Sequence, residues 1–65
     1  MHISLNGEHI QCKSSTLMDL VREKGYDPSS LVAEVNLNVI SQSEWESYAI
    51  QNGDTIELLN FVGGG

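Results

Sequence analysis

The chain opens with a period-two alternation centred on an Asn-Gly pair, and this constrains the fold more than any other feature of the sequence. Met1, Ile3 and Leu5 fall on one side, and His2, Ser4 and Asn6 on the other, before Asn6-Gly7. Such a pair tolerates the positive φ angles of a two-residue type I′ turn, so the segment reads as an antiparallel hairpin. The loop pairs Leu5 with Glu8, Ile3 with Ile10 and Met1 with Cys12. His2, Ser4, His9, Gln11 and Lys13 then share the opposite, polar face, so a sheet with one dry and one wet side is expected.

The period then changes. Leu17, Leu20, Val21 and Lys24 follow at helical spacing, with Thr16 and Asp19 placed to cap the first turn and Gly25 placed to end the helix. A helix this short is marginal alone, so its apolar stripe must pack on the hairpin. Asp27-Pro28-Ser29-Ser30 reads as a turn, and Leu31, Ala33 and Val35 alternate as a third strand. A short fourth strand is expected at Val39 and Ile40. Ser41-Gln42-Ser43-Glu44 fits a capping box that leads Trp45 and Tyr48 into a helical or 3₁₀ turn. Asn52-Gly53-Asp54 reads as another turn, and Thr55 to Val62 as the last strand. One helix against one face of a mixed sheet makes an α+β fold.

Sixty-five residues allow one domain, and folding at that length removes only about 60% of the extended chain's surface. A deep substrate cavity is not expected. Cys12 is the single cysteine, so no internal disulfide supports the core, and with no signal-peptide or membrane-span pattern the expected location is the cytoplasm. Three Lys plus Arg against nine Asp plus Glu give a net charge of -6. That charge repels phosphate backbones and anionic lipid, so neither nucleic acid nor membrane is an expected partner, and a basic protein surface is.

The residues of most catalytic and metal sites are missing. The chain has no CxxC, HExxH, P-loop or G-x-G-x-x-G. His2 and His9 fall as diagonal neighbours roughly 7–8 Å apart on the polar face, whereas alternation sends Cys12 to the core, so the histidines could share a metal only with help from a third ligand, and solvated side chains are expected instead. Glu8, Asp19, Glu23 and Asp54 read as solvated charges that do not converge. No catalytic residue is expected.

The last strand is apolar on both sides, with Ile56, Leu58 and Val62 against Leu59 and Phe61. If Ile56 and Leu58 face the helix, Leu59 and Phe61 lie on the open face, where an apolar patch marks a contact with another protein; loop residues or a dimer would also bury them. Leu59, Phe61 and the adjoining Val62 make up the expected partner-binding patch. Gly63, Gly64 and Gly65 follow. They read either as a frayed tail or as a strand without Cβ atoms, able to thread a narrow crevice and carry a carboxylate roughly 10 Å beyond Val62. A carboxylate so presented is a substrate for adenylation by another enzyme.

The element order, the length, the segment NGDTIELLNFV with its GDxIxLxxFV pattern, and the glycines after it resemble the ThiS family, the ubiquitin-like sulfur carriers of thiamine biosynthesis. Val35-Asn36 and the stretch reaching Trp45 are similar to family positions as well. The resemblance implies a β-grasp domain over 1–62, with a sheet of about five strands whose first and last members are central and parallel, and a flexible glycine tail at 63–65. It further implies that Gly65 is adenylated by a ThiF-type enzyme using ATP and magnesium and then converted to a thiocarboxylate. Sulfur comes from cysteine through a desulfurase and passes to a ThiG-type thiazole synthase, with Gly63 and Gly64 threading the partners' crevices. The chain is then a carrier and co-substrate, not an enzyme, and holds no cofactor of its own. A carrier for molybdopterin or amino-acid biosynthesis and a non-covalent ubiquitin-like binding module remain alternatives.

Overall fold

Around Asn6 and Gly7, at φ 52° and 83°, the chain folds back on itself, pairing β1 (His2–Leu5) with β2 (Glu8–Gln11) in the expected register. The computed structural model describes residues 1–61. After β2 come helix α1 (Leu17–Glu23), a 3₁₀ turn at Pro28–Ser30, β3 (Leu31–Val35), β4 (Asn38–Ile40), a second 3₁₀ turn at Gln42–Glu44, and β5 (Thr55–Asn60). The sheet order is β2-β1-β5-β3-β4. The first and last strands are therefore central neighbours and run parallel, with Leu5 beside Ile56. Antiparallel pairing of β5 with β3 and of β3 with β4 completes the mixed sheet.

Alternation sends Ile3, Leu5, Leu31, Ala33, Val35, Ile56 and Leu58 to one face, where Leu17, Leu20 and Val21 of α1 cover them. Cys12 is buried in the same core. The helix is secured at both ends. Thr16 accepts the Asp19 N–H at 3.2 Å, while the Leu17 and Met18 amides donate to the carbonyls of Tyr48 and Trp45 at 2.9 and 3.0 Å. These bonds satisfy three of the amides that a helix start leaves without partners. At the other end Gly25, at φ 76°, donates to the Arg22 carbonyl.

Three expectations change. The capping box at Ser41 does not form, because the Ser41 side chain caps no amide, and the 3₁₀ turn is held instead by the Glu44 N–H on the Ser41 carbonyl. The last strand stops at Asn60, two residues short of the expected Val62, because β3, its pairing partner on that side, begins opposite Asn60 at Leu31.

Asp54 is the third. It is buried, not solvated: its carboxylate accepts from the Gln51 N–H at 2.8 Å and from Asn36 Nδ2 at 3.0 Å. Asn36 in turn accepts the Thr55 N–H at 2.9 Å, so Asp54 joins the β3–β4 turn to the start of β5. Removing the carboxylate leaves those donors without partners, and Asp54→Ala is expected to cost about 1–3 kcal/mol. Urea unfolding checks this, and an unchanged midpoint would show that water replaces the carboxylate at no cost.

The same network explains an unexpected backbone. Val35 pairs with Asn38, so Asn36 and Leu37 form a second two-residue turn, both with positive φ, at 52° and 73°. Asparagine suits that region, but a leucine there costs about 1–2 kcal/mol. The bonds from Asn36 to Thr55 and Asp54 impose the geometry.

Candidate functional site

Where β5 leaves the sheet, a polar turn holds it. Asp27 caps the Pro28–Ser30 turn through Oδ1, which accepts from the Ser29 hydroxyl at 2.8 Å and the Ser29 N–H at 3.0 Å. The Ser29 hydroxyl, and after it the Ser29 amide, hold the Asp27 carboxyl below its ordinary value of 3.8. A depressed carboxylate pKa stabilises the fold above the ordinary value, and this contribution is lost as pH falls through the lowered one. The Ser30 carbonyl then accepts the Phe61 N–H at 3.0 Å, which fastens Phe61 to this turn.

On the other side of β5 the supporting group is a side chain. β1 ends at Leu5, and Asn6 continues its role by accepting the Leu58 N–H at 2.8 Å and donating to the Leu58 carbonyl at 3.2 Å. Asn6 thus both turns the hairpin and braces the last strand.

The expected face assignment holds for the described residues. Ile56 and Leu58 are buried beneath α1, while Leu59 and Phe61 are each 49% exposed. Val62, Gly63, Gly64 and Gly65 lie outside the described residues. The open face carries more than the sequence alone revealed. Val32 pairs with Leu59, and Glu34 sits between Glu57 on β5 and Val39 on β4. Val39 is 66% exposed and Leu37, on the adjoining turn, 89%. Alternation with Leu31, Ala33 and Val35 puts Val32 and Glu34 opposite the core, but bringing them to β5 takes the strand order and register.

The other candidate side chains do not come together. His2 and His9 are exposed diagonal neighbours, and Glu8 is exposed at the hairpin turn. Asp19 and Glu46 both approach Arg22, at 4.0 and 3.3 Å, on an exposed surface where such pairs contribute little. Glu23 is exposed but bound to the Ser14 hydroxyl. Among the described residues no three His, Cys, Asp or Glu side chains gather to hold a metal ion, and no helix is long and apolar enough to cross a membrane. This arrangement can present the end of β5, flanked by an apolar and acidic sheet face, to another protein.

A model described as the ThiS family matches residues 3–65. A thiazole synthase of Paramagnetospirillum magneticum is 33% identical over all of this chain, which spans only 20% of that protein's length. The sulfur carrier protein ThiS of Bacillus subtilis is 28% identical over 97% of this chain and 98% of its own. Among solved structures, the crystal structure of the thiamine biosynthesis protein ThiS from Geobacter metallireducens superposes with a TM-score of 0.85 at 23% identity, covering both chains completely.

Proposed function

Because the chain belongs to the ThiS family, we propose that it is a sulfur carrier for thiamine biosynthesis whose reacting group is the carboxylate of Gly65. The observation that carries this reading is the reach of the family match through residue 65, so that it takes in Gly63-Gly64-Gly65 as well as the folded domain.

The chemistry follows from what a carboxylate lacks, namely a good leaving group. In the proposed first step an oxygen of the Gly65 carboxylate attacks the α-phosphorus of ATP, bound with magnesium by a ThiF-type enzyme, and pyrophosphate leaves. A persulfide formed from cysteine on a desulfurase then adds through its terminal sulfur to the carbonyl carbon, and AMP departs with the original oxygen, giving an acyl disulfide. A second thiol attacks the inner sulfur of that disulfide, forming a thiol–thiol disulfide and releasing the acyl sulfur as a thiocarboxylate. A ThiG-type thiazole synthase accepts that sulfur. Support for this partner comes from the thiazole synthase that carries a segment like this chain within its own length. The reading puts the carrier in the cytoplasm with its ATP-using partner.

The chain's own contribution is presentation. The Ser30 and Asn6 contacts hold β5 rigid up to Phe61, and glycines beyond Val62 offer no side chain to obstruct a narrow crevice. Leu59 and Phe61 beside that exit make a moderate apolar contact, suited to a carrier that must leave each enzyme after its turn.

Incubating the full chain with ATP and its ThiF-type enzyme, with and without a sulfur donor, tests the proposal by intact-mass spectrometry. The expected products are an AMP adduct and then a sulfur-for-oxygen exchange at Gly65; an unmodified C-terminus under both conditions would sink the carrier reading. Phe61→Asp, at a half-exposed position, is expected to weaken partner binding while leaving the thermal midpoint nearly unchanged. A collapse of stability would instead make Phe61 part of the core.

A further inference from the structure

Leu58 is the last buried residue of β5 among the described residues, and on one side its backbone has no strand to pair with. The Asn36 N–H on the Thr55 carbonyl and the Phe61 N–H on the Ser30 carbonyl turn Thr55 and Phe61 towards β3, so the alternate residues Ile56 and Leu58 turn their peptide groups towards β1. There Ser4 donates to the Asp54 carbonyl and Asn6 to the Ile56 carbonyl, each at 2.9 Å. The next step of this parallel ladder would bring the Asn6 carbonyl and the Glu8 N–H to Leu58, but the chain turns back at Asn6 and Gly7, and Glu8 pairs with Leu5 instead. The Asn6 carboxamide takes the place of both groups. Its Oδ1 accepts the Leu58 N–H at 2.8 Å and its Nδ2 donates to the Leu58 carbonyl at 3.2 Å, so a side chain acts as one further peptide unit of β1. The turn alone would accept aspartate or glycine here as readily. Only asparagine adds an acceptor and a donor together.

We propose that Asn6 is a positioning residue for the reaction at Gly65, fixing the end of β5 from which the adenylating enzyme takes the carboxylate. The proposal rests on the carrier reading above. Residues 62–65 join Phe61 to the reacting group, so at about 3.3–3.6 Å per residue the space open to that group is centred on wherever β5 is held. Ser30 holds Phe61 from the β3 side, and Asn6 holds Leu58 from the other. Bracing on both sides narrows the orientations in which the strand end meets the enzyme, and less ordering is left for the bound state to supply. Asn6 acts through β5 and does not touch the reacting atoms.

Single-turnover adenylation of the full chain by excess ThiF-type enzyme with ATP, read by intact mass, separates the limiting rate from the half-saturating enzyme concentration. Asn6→Gly and Asn6→Asp both keep the turn. The first removes both bonds to Leu58, and the second sets a carboxylate oxygen against the Leu58 carbonyl in place of the donor. Each is expected to lower the limiting rate by about tenfold while shifting the half-saturating concentration by less than about twofold. Amide hydrogen exchange at Leu58 should quicken by about tenfold in Asn6→Gly. Asp54→Ala, which loosens the opposite end of β5, controls for stability: well below every thermal midpoint it should keep the limiting rate within about twofold. An unchanged limiting rate in either Asn6 variant, unchanged exchange at Leu58, an equal loss of rate in Asp54→Ala, or failure of both Asn6 variants to fold overturns the proposal. If the unsubstituted chain is not adenylated at all, the carrier reading falls and this role with it. If it is adenylated no faster than the Asn6 variants, only the positioning role falls.

Discussion

Adding one alanine after Gly65 is expected to lower sulfur transfer by more than about 10²-fold while leaving the thermal midpoint unchanged. An extra residue moves the carboxylate by about 3.3–3.6 Å, and displacement of a reacting group by about 1 Å can already cost 10²-fold in rate. The new carboxylate also belongs to a residue with a Cβ, which a crevice shaped for glycine excludes. The fold is untouched because the described contacts that brace β5, from Asn6 and Ser30, end at Phe61. Intact-mass spectrometry after incubation with ATP and sulfur donor reads the transfer, and calorimetry reads the midpoint. Sulfur transfer at the unmodified rate would mean that the partner reads neither the position of the carboxylate nor the lack of a Cβ on the residue that bears it.

Trp45→Ala is expected to remove most of the stability of the domain. The indole is only 1% exposed, and its Nε1 donates to the Ile40 carbonyl at 2.9 Å. The Trp45 carbonyl accepts the Met18 amide at the start of α1, so one residue ties β4, the 3₁₀ turn and the helix together. Truncating a buried tryptophan costs about 3–5 kcal/mol, against a total of about 3–10 kcal/mol for a chain of this length. The variant Trp45→Phe keeps a ring in the core but leaves the Ile40 carbonyl without its donor, and is expected to lose about 1–3 kcal/mol. Urea unfolding followed by circular dichroism checks both without relying on the indole as a probe. A loss below about 1 kcal/mol for Trp45→Ala would separate the segment around Trp45 from the core.

The two hairpin turns show how far local chemistry carries. Asn6-Gly7 announces itself because both residues suit positive φ, and the structure keeps the register that the pair implies. Asn36-Leu37 adopts the same kind of turn with no such signal, since leucine is a poor residue for it. Contacts from Thr55 and Asp54, some eighteen residues away in sequence, bring it about. Asp54 itself looks solvated in a turn rich in asparagine and glycine, and only the approach of Gln51 and Asn36 makes it a buried acceptor. The open face follows the same division. Leu59 and Phe61 stand out as apolar residues on the wrong side of a strand, whereas Glu34 and Glu57 become a pair only once β3 and β5 are adjacent.

The first hairpin, the helix with its Thr16 and Gly25 ends, and the inward faces of β3 and β5 were legible in the sequence alone. Alternation, capping and turn preference act within a few residues, so they leave a readable period in the chain. Only the packed fold settles which carbonyl takes the Trp45 indole N–H, why Leu37 is strained, and which carboxylates face each other. Those depend on strand order and register between segments far apart in sequence, where pairing is set by the packing of the whole core and leaves no local trace.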